Sequence, residues 1–292
     1  MTAIKRVGFC YHPSLDGARE LAERLAKRAS DLGVEVWQAA IAWDLVDSDL
    51  AEQVPGSDLL VCVGGDGTVL HASAVVATND TPLFGVRMGR LGFLCEVTES
   101  EAEAALDRLL AGEARTEQRT LAQARLNNEE PAHALNDVVI GRRGLGRTIS
   151  VGARIEGVLV AEYRADAVII ATATGSTGYS MSVGGPILHP TSDDLVLIPV
   201  APHLSRSNAL VLPGDAHIHL EVARGYEAVM TIDGQLEQAV PDGTIVHVSR
   251  SPRTVEFLRL GEEHDFYAHL AKRLGWLRLD HVLDAGDGEP LE

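Results

Sequence analysis

Residues 61–68 have the sequence Val-Cys-Val-Gly-Gly-Asp-Gly-Thr, and this stretch decides the fold of the chain. It joins an apolar run, residues 57–63, to a segment of helical spacing that ends near Ala77. The pattern predicts a buried strand, a glycine turn and a helix with Thr68 as its N-cap. The glycines allow positive φ and close approach of a ligand, and the amides at a helix N-terminus attract phosphate.

Asp66 is the unusual member of this turn, because a carboxylate repels phosphate unless it holds a metal ion or accepts a proton. Phosphoryl transfer to an alcohol requires both of these roles. The alternative is a tight turn between strand and helix in which Asp is only a turn former. The position between a buried strand and a helix favours the functional interpretation. The Walker A pattern GxxxxGK[ST] is absent.

The segments around this turn alternate between strand and helix. The predicted strands are residues 6–11, 34–41, 57–63 and 83–87, and the predicted helices are residues 16–32, 68–77 and 102–110. Such an order predicts an open parallel sheet with right-handed crossovers, flanked by helices. Ligands of these sheets bind outside the carboxyl ends of the strands.

The remainder of the chain has a different pattern. From about residue 118 to 260, short alternating apolar runs are separated by Gly, Pro, Asn and Asp, which predicts a β-rich antiparallel domain. Residues 266–274 return to helical spacing, and an acidic tail follows. We therefore expect an α/β domain over residues 1–100, a β-rich domain over 101–265, and a C-terminal helix and tail over 266–292. The C-terminal helix is expected to pack back on the N-terminal domain.

Composition excludes several classes of function. The chain of 292 residues has a formal net charge of −17, which argues against binding to nucleic acid or to anionic membranes. Local arginines can still hold a phosphorylated small molecule. Its three cysteines, Cys10, Cys62 and Cys95, lack CxxC spacing, and no stretch resembles a signal peptide or a membrane span. We expect a cytoplasmic protein.

Three polar clusters follow in the β-rich part. Asn136 and Asp137 interrupt an apolar strand, where polar groups are costly unless they are satisfied. Residues 163–166 (YRAD) lead to residues 174–182 (TGSTGYSMS), whose hydroxyls and amides suit sugar and phosphate oxygens. Residues 231–235 (TIDGQ) end a strand. Each cluster also has a bland interpretation: an Asn-Asp strand start, a Ser/Thr turn and a DG hairpin.

Together these motifs resemble the NAD kinase family. GGDGT at residues 64–68 is shared by NAD kinases, diacylglycerol and sphingosine kinases and 6-phosphofructokinases. Residues 85–94, GVRMGRLGFL, resemble the NAD kinase stretch GxNxGxLGFL, with Arg87 in place of the usual Asn. The TGSTxYS block is more specific, because the other kinases lack it. Ala165, Ala167 and Ala173 stand where Gly, Gly and Pro are more usual.

The resemblance implies transfer of a phosphoryl group from ATP to the 2′-hydroxyl of the adenosine ribose of NAD, with a divalent metal ion, most commonly Mg²⁺. Asp66 would be the general base, His71 would face the phosphates, and Asn136 and Asp137 would hold a ribose. Arg147 would lie near a phosphate. The residues implied to bind nucleotide are Gly64, Gly65, Asp66, Gly67, His71, Asn136, Asp137, Arg147, Arg164, Asp166, Thr177, Gly178, Tyr179, Ser180, Met181, Ser182 and Gln235.

Other functions stay open on the sequence. A lipid kinase of the GGDGT class would need an apolar or basic membrane-facing surface, which an acidic chain with 4% aromatic residues does not suggest. A non-catalytic NAD(P)-binding regulator would have no need of Asp66. The family resemblance also implies a homo-oligomer, dimer or tetramer. The sequence leaves open ATP against polyphosphate, NAD against NADH, and the groups that bind the metal.

Overall fold

The computed structural model describes residues 4–41, 48–89, 92–127, 129–144, 148–203, 208–223 and 225–276. Its first part alternates strand and helix, as the sequence predicts. The elements are β1 (Arg6–Tyr11), α1 (Ala18–Asp31), β2 (Glu35–Ala40), α2 (Ser48–Gln53), β3 (Leu59–Gly64), α3 (Asp66–Val76), β4 (Leu83–Arg87), β5 (Val97–Thr98) and α4 (Ala102–Leu110).

The second part is dominated by strands. They are β6 (Arg115–Leu126), β7 (Ala132–Ala134), β8 (Asp137–Arg142), β9 (Ile149–Ile155), β10 (Val158–Ala165), β11 (Ala167–Ala171), β12 (Leu195–Val200), β13 (Leu210–Leu212), β14 (Ile218–Val222), β15 (Ala228–Ile232), β16 (Leu236–Val240) and β17 (Ile245–Arg259). The α-helices of its described residues are α5 (Tyr179–Ser182) and α6 (Asp265–Leu274), and a 3₁₀ turn at Gly175–Thr177 precedes α5.

The larger sheet combines strands from both parts of the chain. Within the described residues it has eleven strands, and its main path is β10-β9-β14-β17-β4-β3-β1-β2. Strands β1 to β4 are parallel, and β3 is buried throughout, as expected for a parallel strand covered on both faces. Strand β17 joins this parallel region at Phe257↔Leu83 and pairs along its length with antiparallel β6. The antiparallel part therefore continues the first sheet.

A second sheet carries the rest of the antiparallel strands. Over the same described residues it has six strands in the order β13-β12-β11-β8-β15-β16, all antiparallel. Alternate residues of β8 and β11, such as Val138 and Val168, pack with residues of the larger sheet in one hydrophobic core. The two sheets form a sandwich here.

Helices cover the parallel strands on both faces. Helix α1 buries the stripe Ala18, Leu21, Ala22, Leu25, Ala26 and Ala29, whose spacing is that of an amphipathic helix. It shares one core with α4, while α3 shares a second core with Leu94, Leu121 and Leu135. The helix α3 is thus packed against residues of the β-rich part.

The chain divides into two compact units. One extends to Leu260, and the other begins at Gly261 and contains α6. The expected domain limits at residues 100 and 265, and the packing of the C-terminal helix, stay predictions. In the part of the chain that the structure describes, no helix combines the length and apolar character needed to cross a membrane.

Candidate active site

The glycine turn leads from β3 directly into α3. Gly65 is the N-cap, with extended backbone, and Asp66 is the first helical residue. The prediction of Thr68 as N-cap is wrong, because Thr68 lies one turn inside the helix. Its hydroxyl instead reaches back and accepts a hydrogen bond from the Gly65 amide at 3.4 Å. The helix starts earlier than its side chains suggest, since a glycine takes the capping position.

The Asp66 carboxylate is held by the backbone of a neighbouring loop. The amide of Phe93 donates to Oδ2 at 2.7 Å, and the amide of Leu94 donates to Oδ1 at 3.1 Å. Gly92 lies so close that a Cβ there would collide with the carboxylate. Each oxygen keeps further acceptor capacity, because an ionised carboxylate offers about four lone-pair sites. The carboxylate is therefore fixed in orientation but still able to accept a proton.

Asp66 affects the pKa of the neighbouring Cys95 thiol. Burial, and then the negative charge of Asp66, raise the pKa of Cys95 to about 12. The thiol stays protonated at neutral pH, which makes it a poor nucleophile. The reactive group of this turn is therefore the carboxylate.

A second carboxylate organises the start of β8. Asp233 lies in the turn after β15, and its carboxylate accepts hydrogen bonds from the amides of Leu135 (2.8 Å), Asn136 (2.7 Å) and Asp137 (3.0 Å). Asp233 itself has φ 54, in the left-handed region. The sequence indicated only a DG turn here and missed this role. The contact joins residues about one hundred positions apart, so local pattern carries no signal for it.

Asp137 and Asp233 share a buried environment. Burial, and then the charge of Asp233, raise the pKa of Asp137 to about 7. Burial raises the pKa of Asp233 to about 6, although its three amide hydrogen bonds oppose the shift. Close, buried carboxylates disfavour double ionisation. The two carboxyl groups therefore hold a proton that is lost near neutral pH. A hydrogen-bond donor that approaches them would favour this loss.

Residues 172–182, the hydroxyl-rich segment, pack directly on Asn136 and Asp137. The Thr172 amide donates to the Asn136 carbonyl at 2.9 Å, and a Cβ on Gly175 would collide with that backbone. A Cβ built on Gly178 would lie 3.7 Å from Nδ2 of Asn136 and 3.9 Å from Oδ2 of Asp137. The structure thus brings residues 136–137 and 172–178 together, with only glycine tolerated at the closest approach.

The polar side chains of this segment and of the nearby turn at Gln235 differ in whether they have a hydrogen-bond partner. The hydroxyls of Thr177 and Ser182 donate to backbone carbonyls within the segment, at 3.0 and 3.5 Å. By contrast, Oγ of fully buried Ser180 and Nε2 of Gln235 have no hydrogen-bond partner among the described residues. Tyr179 is exposed and Met181 is half-buried. Ser180 and Gln235 therefore keep unused polar atoms for a ligand.

Two of the sequence-predicted residues lie away from this group within one chain. Arg164 and Asp166 lie at the far end of β11, where Asp166 forms an ion pair with Arg142 at 3.1 Å. Strand β11 separates them from the segment that starts at Thr172 by about 17 Å. Arg147 lies outside the described residues. His71 follows Asp66 on α3, with a half-buried side chain.

Comparison with known proteins identifies the family. Residues 7–114 match the model of the ATP-NAD kinase N-terminal domain, and residues 135–260 match that of the C-terminal domain. An NAD kinase of Dehalococcoides mccartyi is 35% identical over 275 residues, covering 92% of this chain and 96% of the relative. The chain belongs to the NAD kinase family. One from Heliobacterium modesticaldum is 38% identical over 258 residues, covering 87% and 91%.

Solved structures agree with this NAD kinase assignment. A crystal structure of yeast NADH kinase complexed with NADH has a TM-score of 0.84 at 22% identity, covers 96% of this chain and 91% of its own, and so shows the fold. A crystal structure of an NAD kinase from Archaeoglobus fulgidus in complex with ATP has a TM-score of 0.76 at 26% identity, covering 94% and 100%. The family resemblance, the fold class and the assignment as an NAD kinase enzyme are confirmed.

Proposed function

We propose that this NAD kinase family member phosphorylates the 2′-hydroxyl of the adenosine ribose of NAD, with ATP as donor, to give NADP. The observation that carries the proposal is the carboxylate of Asp66, oriented by the amides of Phe93 and Leu94 at the N-terminus of α3. A ribose hydroxyl is a weak nucleophile. Asp66 takes its proton as it attacks the γ-phosphorus, and the ADP oxygen leaves on the opposite side.

The glycine turn supplies charge stabilisation for the donor. The first amides of an α-helix lack partners within the helix and carry partial positive charge, which suits phosphate oxygens. Gly67 is exposed beside Asp66, so it leaves room for the donor at this point. Because phosphoryl transfer depends mainly on position and charge neutralisation, such a cradle accounts for much of the expected acceleration.

The dinucleotide is held by the second group of residues. Asn136 and Asp137 offer an amide and a buried carboxyl beside Gly178, and Ser180 and Gln235 retain unused polar atoms. These groups suit the hydroxyls and ring edges of a nucleoside. The yeast relative was crystallised with NADH and the Archaeoglobus fulgidus relative with ATP, which supports one site for each class of ligand.

A divalent ion, Mg²⁺ in our proposal, accompanies the triphosphate. Among the described residues, no group of three or more His, Cys, Asp or Glu side chains could hold a metal ion alone. A single carboxylate such as Asp66 fits an ion that phosphate oxygens mostly carry, since Mg²⁺ is commonly bound by one or two carboxylates plus phosphates. When bound, the ion neutralises charge on the transferred phosphoryl group.

A homo-oligomer would unite the two separated groups of predicted residues. Arg164 and Asp166 lie at the opposite end of β11 from Asp137, so one pocket can contain both groups only if a second copy contributes one of them. We therefore propose a dimer or a multiple of it. Light scattering of the purified protein tests this, and a mass equal to one chain overturns it.

Incubation of the purified protein with NAD, ATP and Mg²⁺ tests the proposed reaction. Formation of NADP, with omission of each component as a control, is the expected result. Binding of NAD without NADP formation would instead support a regulator, and phosphorylation of diacylglycerol but not NAD would support a lipid kinase. Parallel reactions with NADH and with polyphosphate determine the preferred acceptor and donor.

A further inference from the structure

A cluster of buried charges lies between the Asp66 turn and the hydroxyl-rich segment. Glu117 and Arg119 on β6 and Arg259 on β17 are each 4–6% exposed. Charged residues alternate in residues 115–119 (RTEQR), so Arg115, Glu117 and Arg119 project from the same face of the strand. Buried charges are rare unless paired, and an ion pair is not needed for packing. This cluster therefore calls for an explanation beyond stability.

Arg259 connects the cluster to the loop that holds Asp66. Its Nε donates to Oε1 of Glu117 at 3.1 Å. One terminal nitrogen, NH1, donates to the Leu94 carbonyl and to Oε2 of Glu96, both at 3.1 Å. Leu94 is the residue whose amide binds Asp66. The guanidinium thus holds the residue whose amide gives the Asp66 carboxylate one of its two hydrogen bonds.

Arg119 connects the same cluster to the other half of the site. It donates to Oε1 of Glu117 from both Nε (2.9 Å) and NH2 (2.5 Å). Its NH1 donates to Oγ1 of buried Thr174 at 3.1 Å. Thr174 lies in the segment that packs on Asn136, and its carbonyl accepts the hydroxyl of Thr177.

The arginines have a common support. Their guanidinium carbons lie 5.5 Å (Arg119) and 4.9 Å (Arg259) from the ring centroid of fully buried Phe257. Burial raises the pKa of Glu117, but the charges and hydrogen bonds of the two arginines outweigh it and hold the pKa at about 2. The cluster therefore keeps its charges at physiological pH, and its hydrogen bonds are of the strong, charge-assisted kind.

We propose that Arg259 is a positioning residue, which sets the Asp66 carboxylate relative to the hydroxyl-rich segment through the continuous chain Leu94–Arg259–Glu117–Arg119–Thr174. The inference rests on the proposed function, because it assigns the chain to alignment of the base with the bound ribose. Alignment errors of about 1 Å cost up to ~10²-fold in rate, so a rigid connection between the two halves has a clear use.

Hydrogen exchange of two segments tests the coupling without requiring activity. The amides of Phe93 and Leu94 report the Asp66 contact directly, and amides 175–178 report the hydroxyl-rich segment. Arg259→Lys keeps the charge, but one ammonium cannot reach Glu117 and Leu94 together. We expect about tenfold faster exchange in both segments. Thr174→Val removes only a neutral acceptor and should speed exchange at residues 93–94 as well.

Kinetics of NADP formation supply the second readout. Arg259→Lys should lower kcat about tenfold or more while changing KM for NAD and ATP less than about threefold, because alignment in the transition state is lost and ground-state contacts remain. Arg250→Lys is the matched control. It makes the same change on the same strand, in an exposed ion pair with Asp193 at 2.8 Å, and should leave both readouts unchanged.

The outcomes separate the two proposals. Unchanged exchange at residues 175–178 in Arg259→Lys, or at residues 93–94 in Thr174→Val, overturns the coupling, as does an equal loss of kcat in Arg250→Lys. If the wild-type protein forms no NADP, the proposed function fails, while the exchange data still decide whether the chain connects the segments. If Arg259→Lys does not fold, Thr174→Val alone decides.

Discussion

Asp66 and Asp233 are both held by backbone amides, yet the two turns use their carboxylates differently. Asp66 receives one amide on each oxygen and is half-buried. Asp233 receives three amides and lies beside buried Asp137. A carboxylate has about four acceptor sites, so Asp66 keeps more capacity for a hydroxyl proton. Of these two residues, Asp66 therefore has the greater capacity for chemistry, and Asp233 shapes the start of β8.

Asp66→Asn should give the largest effect on turnover. Loss of a general base costs about 10²–10⁴-fold in kcat, while folding and NAD binding stay largely intact. Asp58→Asn is the matched control, because Asp58 also accepts two backbone amides, from Lys5 (2.7 Å) and Arg6 (2.9 Å), at the opposite end of β3. Initial rates of NADP formation measure the difference. An unchanged kcat in Asp66→Asn removes Asp66 from the mechanism.

Asp137→Asn should change the pH dependence of stability. The pKa of Asp137 is about 7 in the folded protein, because burial and then the Asp233 charge disfavour ionisation, against about 3.9 when unfolded. The folded state therefore binds more protons between these values, and wild-type stability falls as pH rises from about 4 to 7. The variant escapes this loss, on the order of 2–4 kcal/mol.

Urea denaturation at several pH values measures this difference. Between about pH 4 and 7, the free energy of unfolding of Asp137→Asn should rise relative to that of wild type. Above this pH range, the difference between the two proteins should stay constant. Parallel curves for the two proteins would show that Asp137 ionises normally in the folded state.

Asp233→Asn should lower the free energy of unfolding. The Asn oxygen can keep the amides of Asn136 and Asp137, but its NH₂ group then faces the Leu135 amide, which loses its acceptor. An unsatisfied buried donor costs roughly 1–3 kcal/mol. Asn also tolerates the left-handed backbone at this position. Urea midpoints measure this loss, and a midpoint equal to that of wild type would contradict the role given to Asp233.

The turn that carries Asp66 could be predicted from the sequence, because the residues that indicate it are neighbours in the chain. The strand, the glycines and the helix are contiguous, and the predicted strands at residues 6–11 and 83–87 match β1 and β4. The start of α3 was still misplaced, since Thr68 looks like a cap and Gly65 does not. Helix boundaries depend on backbone conformation that side-chain preferences reflect only weakly.

The contacts of Asp233 and the buried charged cluster could not be predicted, because they join residues that are far apart in the sequence. Strand β17 reaches the parallel sheet through a single register pair, Phe257↔Leu83, across more than 150 residues. The alternating charges of residues 115–119 were a local signal that one face of β6 is charged, but not that it is buried. Sequence proximity likewise could not show that β11 separates Asp166 from Thr172.

Arg87→Asn should have the smallest effect on the kinetics, and it tests whether the Asp66 turn lies beside the triphosphate. Arg87 pairs with Gly64 at the carboxyl ends of β4 and β3 and lines a cavity of about 560 Å³ with Arg24, Thr98 and Ser100. A half-exposed cation beside the proposed triphosphate site contributes up to about 1 kcal/mol, so KM for ATP should rise up to about fivefold, with little change in kcat. Since salt screens such a charge, the difference should shrink as ionic strength rises. ATP titrations at low and high salt measure it, and a salt-independent difference would mean that Arg87 acts through the shape of the turn.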